Sequence, residues 1–181
     1  VCDLPRHPDC GLSIDHHQSN APGEDEDGDV VIIWKETPSA ARIAYDLLEG
    51  EVDLSDLEDM LVWVDKLDGG GINREEFRSD HPVIWLGRVV DIESGIAYHI
   101  LESLQHGVSV DDILSGPAVA HALKHRRARQ AEMDSAIAES THVVDRLAIV
   151  RLEDRNMRSN GYHVTALVGE DCDACLIVHG D

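Results

Sequence analysis

Gly11-Leu-Ser-Ile-Asp15-His16-His17-Gln-Ser-Asn20 decides how the rest of this chain is read. A short apolar run, Leu12 to Ile14, ends in one carboxylate and two adjacent imidazoles. Neutral imidazole nitrogen and carboxylate oxygen suit Mn, Fe and Zn, and in α/β sheets functional groups collect beyond the carboxyl ends of the strands. Asp3, in Val1-Cys-Asp-Leu-Pro5, reads as a second strand end. Two neighbouring parallel strands then present Asp3, Asp15, His16 and His17 on one rim. A further carboxylate arrives on a helix that runs into Trp63-Val-Asp65-Lys-Leu-Asp68-Gly-Gly-Gly71, where glycines let the backbone turn tightly.

Strand and helix signals alternate along the first half. Leu12–Ile14 and Val30–Trp34 are predicted strands, separated by the acidic run from Ala21 to Asp29, a solvated loop. Thr37 is the predicted cap of a helix with Pro38 at its first position, an apolar stripe of Ala40, Ala44, Leu47 and Leu48, and an end at Gly50. Ser55 with Glu58 has the capping-box pattern, and Leu57, Met60, Leu61 and Val64 then face a core. Beyond Asp80-His-Pro82 the chain turns helical: a face of Ile96, Ile100, Leu101 and Leu104 closes at His106-Gly107, Ser109 caps a short helix, and Gly116-Pro117 starts a long one to about Thr141. Val143–Leu152 reads as a strand, Tyr162–Val168 as a helix and Cys175–Val178 as a strand. The expected fold is α/β: a mainly parallel sheet flanked by helices, a helical connector, and the start of a second, smaller α/β unit.

Composition excludes several classes. The formal charge is −21, from 36 acidic and 15 basic residues, and only Lys35, Lys66 and Lys124 are lysines. An acidic, lysine-poor surface is expected of a protein from a salt-rich cytoplasm, where screening removes self-repulsion. It argues against an electropositive groove for duplex DNA, though not against a short oligonucleotide. No apolar run approaches the ~20 residues that cross a bilayer, and a cytoplasmic location is expected. Cys172-Asp-Ala-Cys175 has zinc-knuckle spacing, but one such pair reads better as small hydrophobes. The basic cluster Lys124-His-Arg-Arg-Ala-Arg129 reads as a solvated helix face with local acidic partners, with a phosphate-attracting connector as the alternative.

Asp15-His16-His17 after a hydrophobic strand, Asp3 before Leu-Pro, and a later Asp before small residues together resemble the DHH phosphoesterase family. Thr37–Leu48 is similar to the helix that follows the motif in that family. Arg158–Val168 through Cys175–Gly180 resembles the start of its DHH-associated domain. The resemblance implies a DHH domain over 1–106, a connector over 107–142 and the associated substrate-binding domain over 143–181. The family's opening His-x-x-x-Asp-x-Asp and its Gly-Gly-Gly-His segment have no counterpart here; Gly69-Gly70-Gly71 follows a helix and precedes no His. The chain therefore reads as the middle of a larger protein, inactive as a piece.

Family membership would bring two Mn²⁺ ions, with Mg²⁺ or Co²⁺ as substitutes, and a metal-activated water that attacks a phosphoester. It gives Asp3 a bridging role, His16 a place at the second metal and Asp68 that metal's last carboxylate, with Asp65, one helical turn earlier, as the competitor. His17 would lie near the phosphate, and Asp15 would hold an imidazole by a hydrogen bond. The expected substrate is a short single-stranded oligonucleotide or small nucleotide, with a homodimer possible within the family. An exopolyphosphatase or pyrophosphatase, or a non-catalytic nucleotide-binding module, are the competing readings.

Overall fold

A computed structural model describes residues 1–23, 30–90 and 95–180. Most of the acidic loop, residues 24–29, lies outside them. The chain divides into two compact units, Val1–Ile72 and Asn73–Asp181. The expected boundaries, near 106 and 142, do not coincide with this division.

The first unit is built on a parallel pair, β1 (Leu12–Asp15) and β2 (Val31–Trp34), in register from Leu12 opposite Val31 to Asp15 opposite Trp34. Cys2 forms a parallel bridge to Ile14, and the Asp3 N–H donates to the Ile14 carbonyl at 2.9 Å. Asp3 and Asp15 therefore emerge at the same sheet end, as parallel pairing dictates. Helix α1 (Ala40–Leu48) packs on β1 and on α2 (Glu58–Asp68).

Three local expectations in this unit need correction. Thr37 does not cap α1; Ser39 does, its hydroxyl accepting from the Arg42 N–H, and Pro38 stays outside the helix. The α1 buried face is centred on Ala40 and fully buried Ile43, while Leu47 and Leu48 are exposed. Ser55 opens a short 3₁₀ turn, and α2 begins at Glu58 without a side-chain cap: the Ser55 hydroxyl is spent on Asp53.

In the second unit, α3 (Arg74–Arg78) starts with a capping box of Asn73 and Glu76, a pattern present in the sequence but not picked out from it. Helix α4 (Pro82–Val89) buries Val83, Ile84, Trp85, Leu86 and Val89, so it is apolar nearly all round and is packed by α6 (Val110–Ser115) and α7 (Pro117–Ser140). Helix α5 (Ile96–Gln105) contacts the same pair. Ser109 caps α6 and Pro117 opens α7 as expected.

The predicted strand over Val143–Leu152 is two strands, β3 (Thr141–Val144) and β4 (Leu147–Arg151), paired antiparallel. The chain reverses at Asp145, whose φ of 54° puts it in the left-handed region that Asp tolerates better than β-branched residues. Strand β5 (Ala174–Val178) adds parallel to β4 after α8 (Gly161–Val168). Ala148, Val150, Leu152, Ile137, Val164 and Cys172 form the core between this sheet and α7 and α8. Cys172 is buried there and Cys175 packs against it, both as free thiols. Both sheets are small, and the mixed α/β class holds throughout. Among the described residues no helix is long and apolar enough to cross a membrane.

Candidate metal centre

The candidate site lies wholly within the first unit. Strand β1 stops at Asp15 because its carboxylate turns back on the chain that follows: Oδ1 accepts from the His16 N–H at 2.7 Å and the His17 N–H at 3.0 Å. The same oxygen takes the His17 ring through Nδ1 at 2.8 Å, and Oδ2 accepts from Asn20 Nδ2 at 2.6 Å. A buried carboxylate with this many donors is satisfied without a cation. Burial pushes Asp15 up, but the donors from His17, Asn20 and His16 outweigh it and hold its pKa at about 2. Asp15 thus bonds the loop that follows it and the His17 ring. The Asp15 hydrogen bond, first among the causes, raises the His17 pKa.

His16 is held differently. Its Nδ1 lies 3.0 Å from the Thr37 carbonyl, which can only accept, so the ring proton sits on Nδ1 and the Nε2 lone pair points away from it. That Nε2 is 3.3 Å from Asp3 Oδ1 and 3.2 Å from Asp68 Oδ2. The distances suit an ion pair, yet neither His16 Nε2 nor Asp3 Oδ1 makes a hydrogen bond of acceptable geometry, and both atoms are buried. A lone pair facing two carboxylates is repulsive unless a positive charge lies among them. Asp3, His16 and His17 offer ligand atoms all within 4.8 Å of one another. Asp3 reaches this position with φ at 60°, unusual for a residue other than glycine. Burial first, then the neighbouring Asp3 charge, raises the Asp68 pKa, which is the response of a carboxylate crowded by another without a cation.

Asp68 arrives at the end of α2 through Gly69. A Cβ on Gly69 would stand 2.9 Å from the Asp65 carbonyl and 3.0 Å from that of Pro38, so only glycine lets the helix end approach this closely. Asp65 is corrected as a candidate ligand: Oδ1 accepts from the Ser39 hydroxyl at 2.7 Å, and Oδ2 takes the Arg42 guanidinium at two nitrogens. Its lone pairs are directed at Ser39 and Arg42, away from the imidazoles. The sequence reading missed this clamp and the Trp34 Nε1–H, which donates to the His17 carbonyl at 2.9 Å. No short motif marks either, since the partners are 17 to 26 positions apart. The structure therefore brings Asp3, His16, His17 and Asp68 together around Asp15, and places Asp65 behind them.

No family model matches the chain, and no curated protein matches its sequence. Among solved structures it is similar to a pGpG-specific phosphodiesterase, PggH, from Vibrio cholerae, with a TM-score of 0.73 at 21% identity. The match covers 97% of this chain and 60% of that one. The chain thus has the fold of part of that protein and spans about 60% of its length.

The Asp15 network carries a pH prediction. Its folded pKa lies below the unfolded value of 3.8, so its stabilisation is complete above about pH 4 and is lost as pH falls through about 2. The shift corresponds to about 2 kcal/mol. Unfolding free energies measured from pH 2 to 6 should fall more steeply with acid in the wild type than in Asp15→Asn; parallel curves would refute the assignment.

Proposed function

We propose that this protein is a metal-dependent phosphodiesterase acting on short oligonucleotides or small nucleotides. The observation that carries the reading is the buried, unsatisfied pair of His16 Nε2 and Asp3 Oδ1, with the His16 proton committed to Thr37. Two carboxylates and an imidazole nitrogen with lone pairs converging in one place fit a divalent cation, Mn²⁺, Mg²⁺ or Co²⁺ among them. Asp3, His16 and Asp68 would hold it. A bound ion of this kind lowers the pKa of water and offsets charge on a phosphoryl group.

The chain's own residues supply the rest. Thr37 fixes the His16 tautomer, and Asp15 with Asn20 fixes the loop. His17, whose Nδ1–H is directed at Asp15, is left with Nε2 to accept a proton or face the phosphate. Among the competing family activities, hydrolysis of a phosphodiester is favoured over pyrophosphatase chemistry by the fold shared with a pGpG-specific phosphodiesterase. The domain roles follow from the family reading: catalysis in 1–106, a connector in 107–142, and substrate binding in 143–181.

The test is a hydrolysis screen of the full-length protein in high salt with pGpG, other short oligoribonucleotides, cyclic dinucleotides and polyphosphate, with and without Mn²⁺. Cleavage of a linear phosphodiester only with the metal is expected. Undiminished cleavage in excess chelator, or no cleavage of any phosphodiester with Mn²⁺ present, defeats the proposal.

A further inference from the structure

Within the second unit, a pocket of about 300 Å³ opens between α7 and the loop ahead of α8. Its lining gathers Arg126, Arg129 and Arg158 with Ser159, Asn160 and His163. Three guanidinium groups around one cavity need an explanation in a chain with a formal charge of −21. Arg74 and Arg88 donate to backbone carbonyls, and five other arginines are used on carboxylates: Arg42 on Asp65, Arg127 on Asp80, Arg146 on Asp173, Arg151 on Glu153 and Arg155 on Glu139. The three in the pocket are not. Arg126 spends only Nε, on the Arg88 carbonyl at 2.6 Å. Among the described residues the Arg129 and Arg158 side chains have neither an ion pair nor a hydrogen bond.

One oxygen of the carboxylate bonded to the lining residues Gln130 and His163 is already engaged. Asp134 Oδ1 accepts from Gln130 Nε2 at 2.8 Å and lies 2.7 Å from His163 Nε2. His163 Nε2 also lies 2.7 Å from Gln130 Nε2, and its Nδ1 lies 3.3 Å from the Ser159 hydroxyl, which lines the pocket. Three planar, permanently charged donors that line one pocket match a tetrahedral oxyanion better than any neutral group.

We propose that this pocket binds a phosphoryl group, as a site composed of residues other than Asp3, His16 and Asp68. The sequence offered Lys124–Arg129 as a solvated face or a phosphate-attracting segment; Arg127, paired with Asp80 and stacked 4.8 Å over Trp85, follows the first reading. Arg126 and Arg129, joined by Arg158 from another element, follow the second.

Isothermal titration of the chain with inorganic phosphate, pGpG and guanosine, all in excess chelator, tests the site without recourse to activity. Phosphate and pGpG are expected to bind and guanosine not to. Arg129→Ala/Arg158→Ala should weaken both by at least tenfold, whereas Arg155→Ala, which removes an arginine already paired with Glu139 outside the pocket, should leave them unchanged. Tighter binding of pGpG than of phosphate assigns the site to a nucleotide's phosphoryl group, and equal binding assigns it to the free anion; either supports the pocket. In the unmodified chain, phosphate should also shift the NMR signals of the Arg129 and Arg158 side chains, a readout that does not depend on how the variants fold. Absence of phosphate binding, or binding indifferent to the double substitution and silent at both arginines, overturns the proposal.

Discussion

Asp3→Ala and His16→Ala are each expected to abolish Mn²⁺ binding to the first unit and, in the full-length protein, to lower phosphodiester hydrolysis by about 10³-fold or more, equivalent to about 4 kcal/mol of transition-state stabilisation. The size follows from the geometry. Asp3 Oδ1 and His16 Nε2 are buried and without a hydrogen-bond partner among the described residues, so their interaction with a cation has no internal substitute. Their loss should not unfold the chain. Asp3 is held in place by its backbone N–H on Ile14, which alanine keeps, and alanine also relieves the repulsion between Asp3 and Asp68. Melting without metal is therefore expected to be unchanged or slightly raised in Asp3→Ala. Mn²⁺ titration followed by electron paramagnetic resonance, alongside thermal melts with and without the ion, reads both effects. Wild-type affinity and turnover in either variant would remove the metal from the mechanism.

Asp65→Ala should do the opposite. Arg42 and Ser39 would lose their acceptor at a half-buried position, where leaving a charged partner uncompensated costs about 2–3 kcal/mol. Ser39 also caps α1, so the loss reaches the start of that helix. Denaturant unfolding should show this drop, while Mn²⁺ affinity measured below the melting transition changes little. Asp65→Leu combined with Arg42→Met should recover part of the stability, because apolar groups then replace an unpaired charge. A stable Asp65→Ala protein that has lost Mn²⁺ as completely as Asp3→Ala would return Asp65 to the ligand set. The expected contrast separates the structural role of Asp65 from the binding role proposed for Asp68, three residues further along α2.

These contrasts show how far linear reasoning reached. The Asp-His-His segment was legible because a strand end fixes where consecutive side chains go, and Asp15 with its two N–H donors is a local arrangement of adjacent residues. The strands β1 and β2, the α7 start at Pro117 and the cap at Ser109 were legible for the same reason: each is encoded within a few positions. Asp145, by contrast, breaks an apolar run that carries no glycine, so a hairpin looked like one strand. Ser39 displaced Thr37 as the α1 cap because its hydroxyl also serves Asp65, a contact 26 residues away.

By itself the sequence determined the chemistry on offer: imidazoles beside a carboxylate at a strand end, aspartates before glycine, an acidic surface, and alternating strands and helices. Only the tertiary structure decided allegiance. Whether Asp65 or Asp68 faced His16, which nitrogen of His16 kept its proton, and which arginines were left without partners depended on long-range neighbours. Periodicity along a chain orients a side chain relative to its own backbone, whereas charge balance is settled among groups that folding brings within a few ångströms.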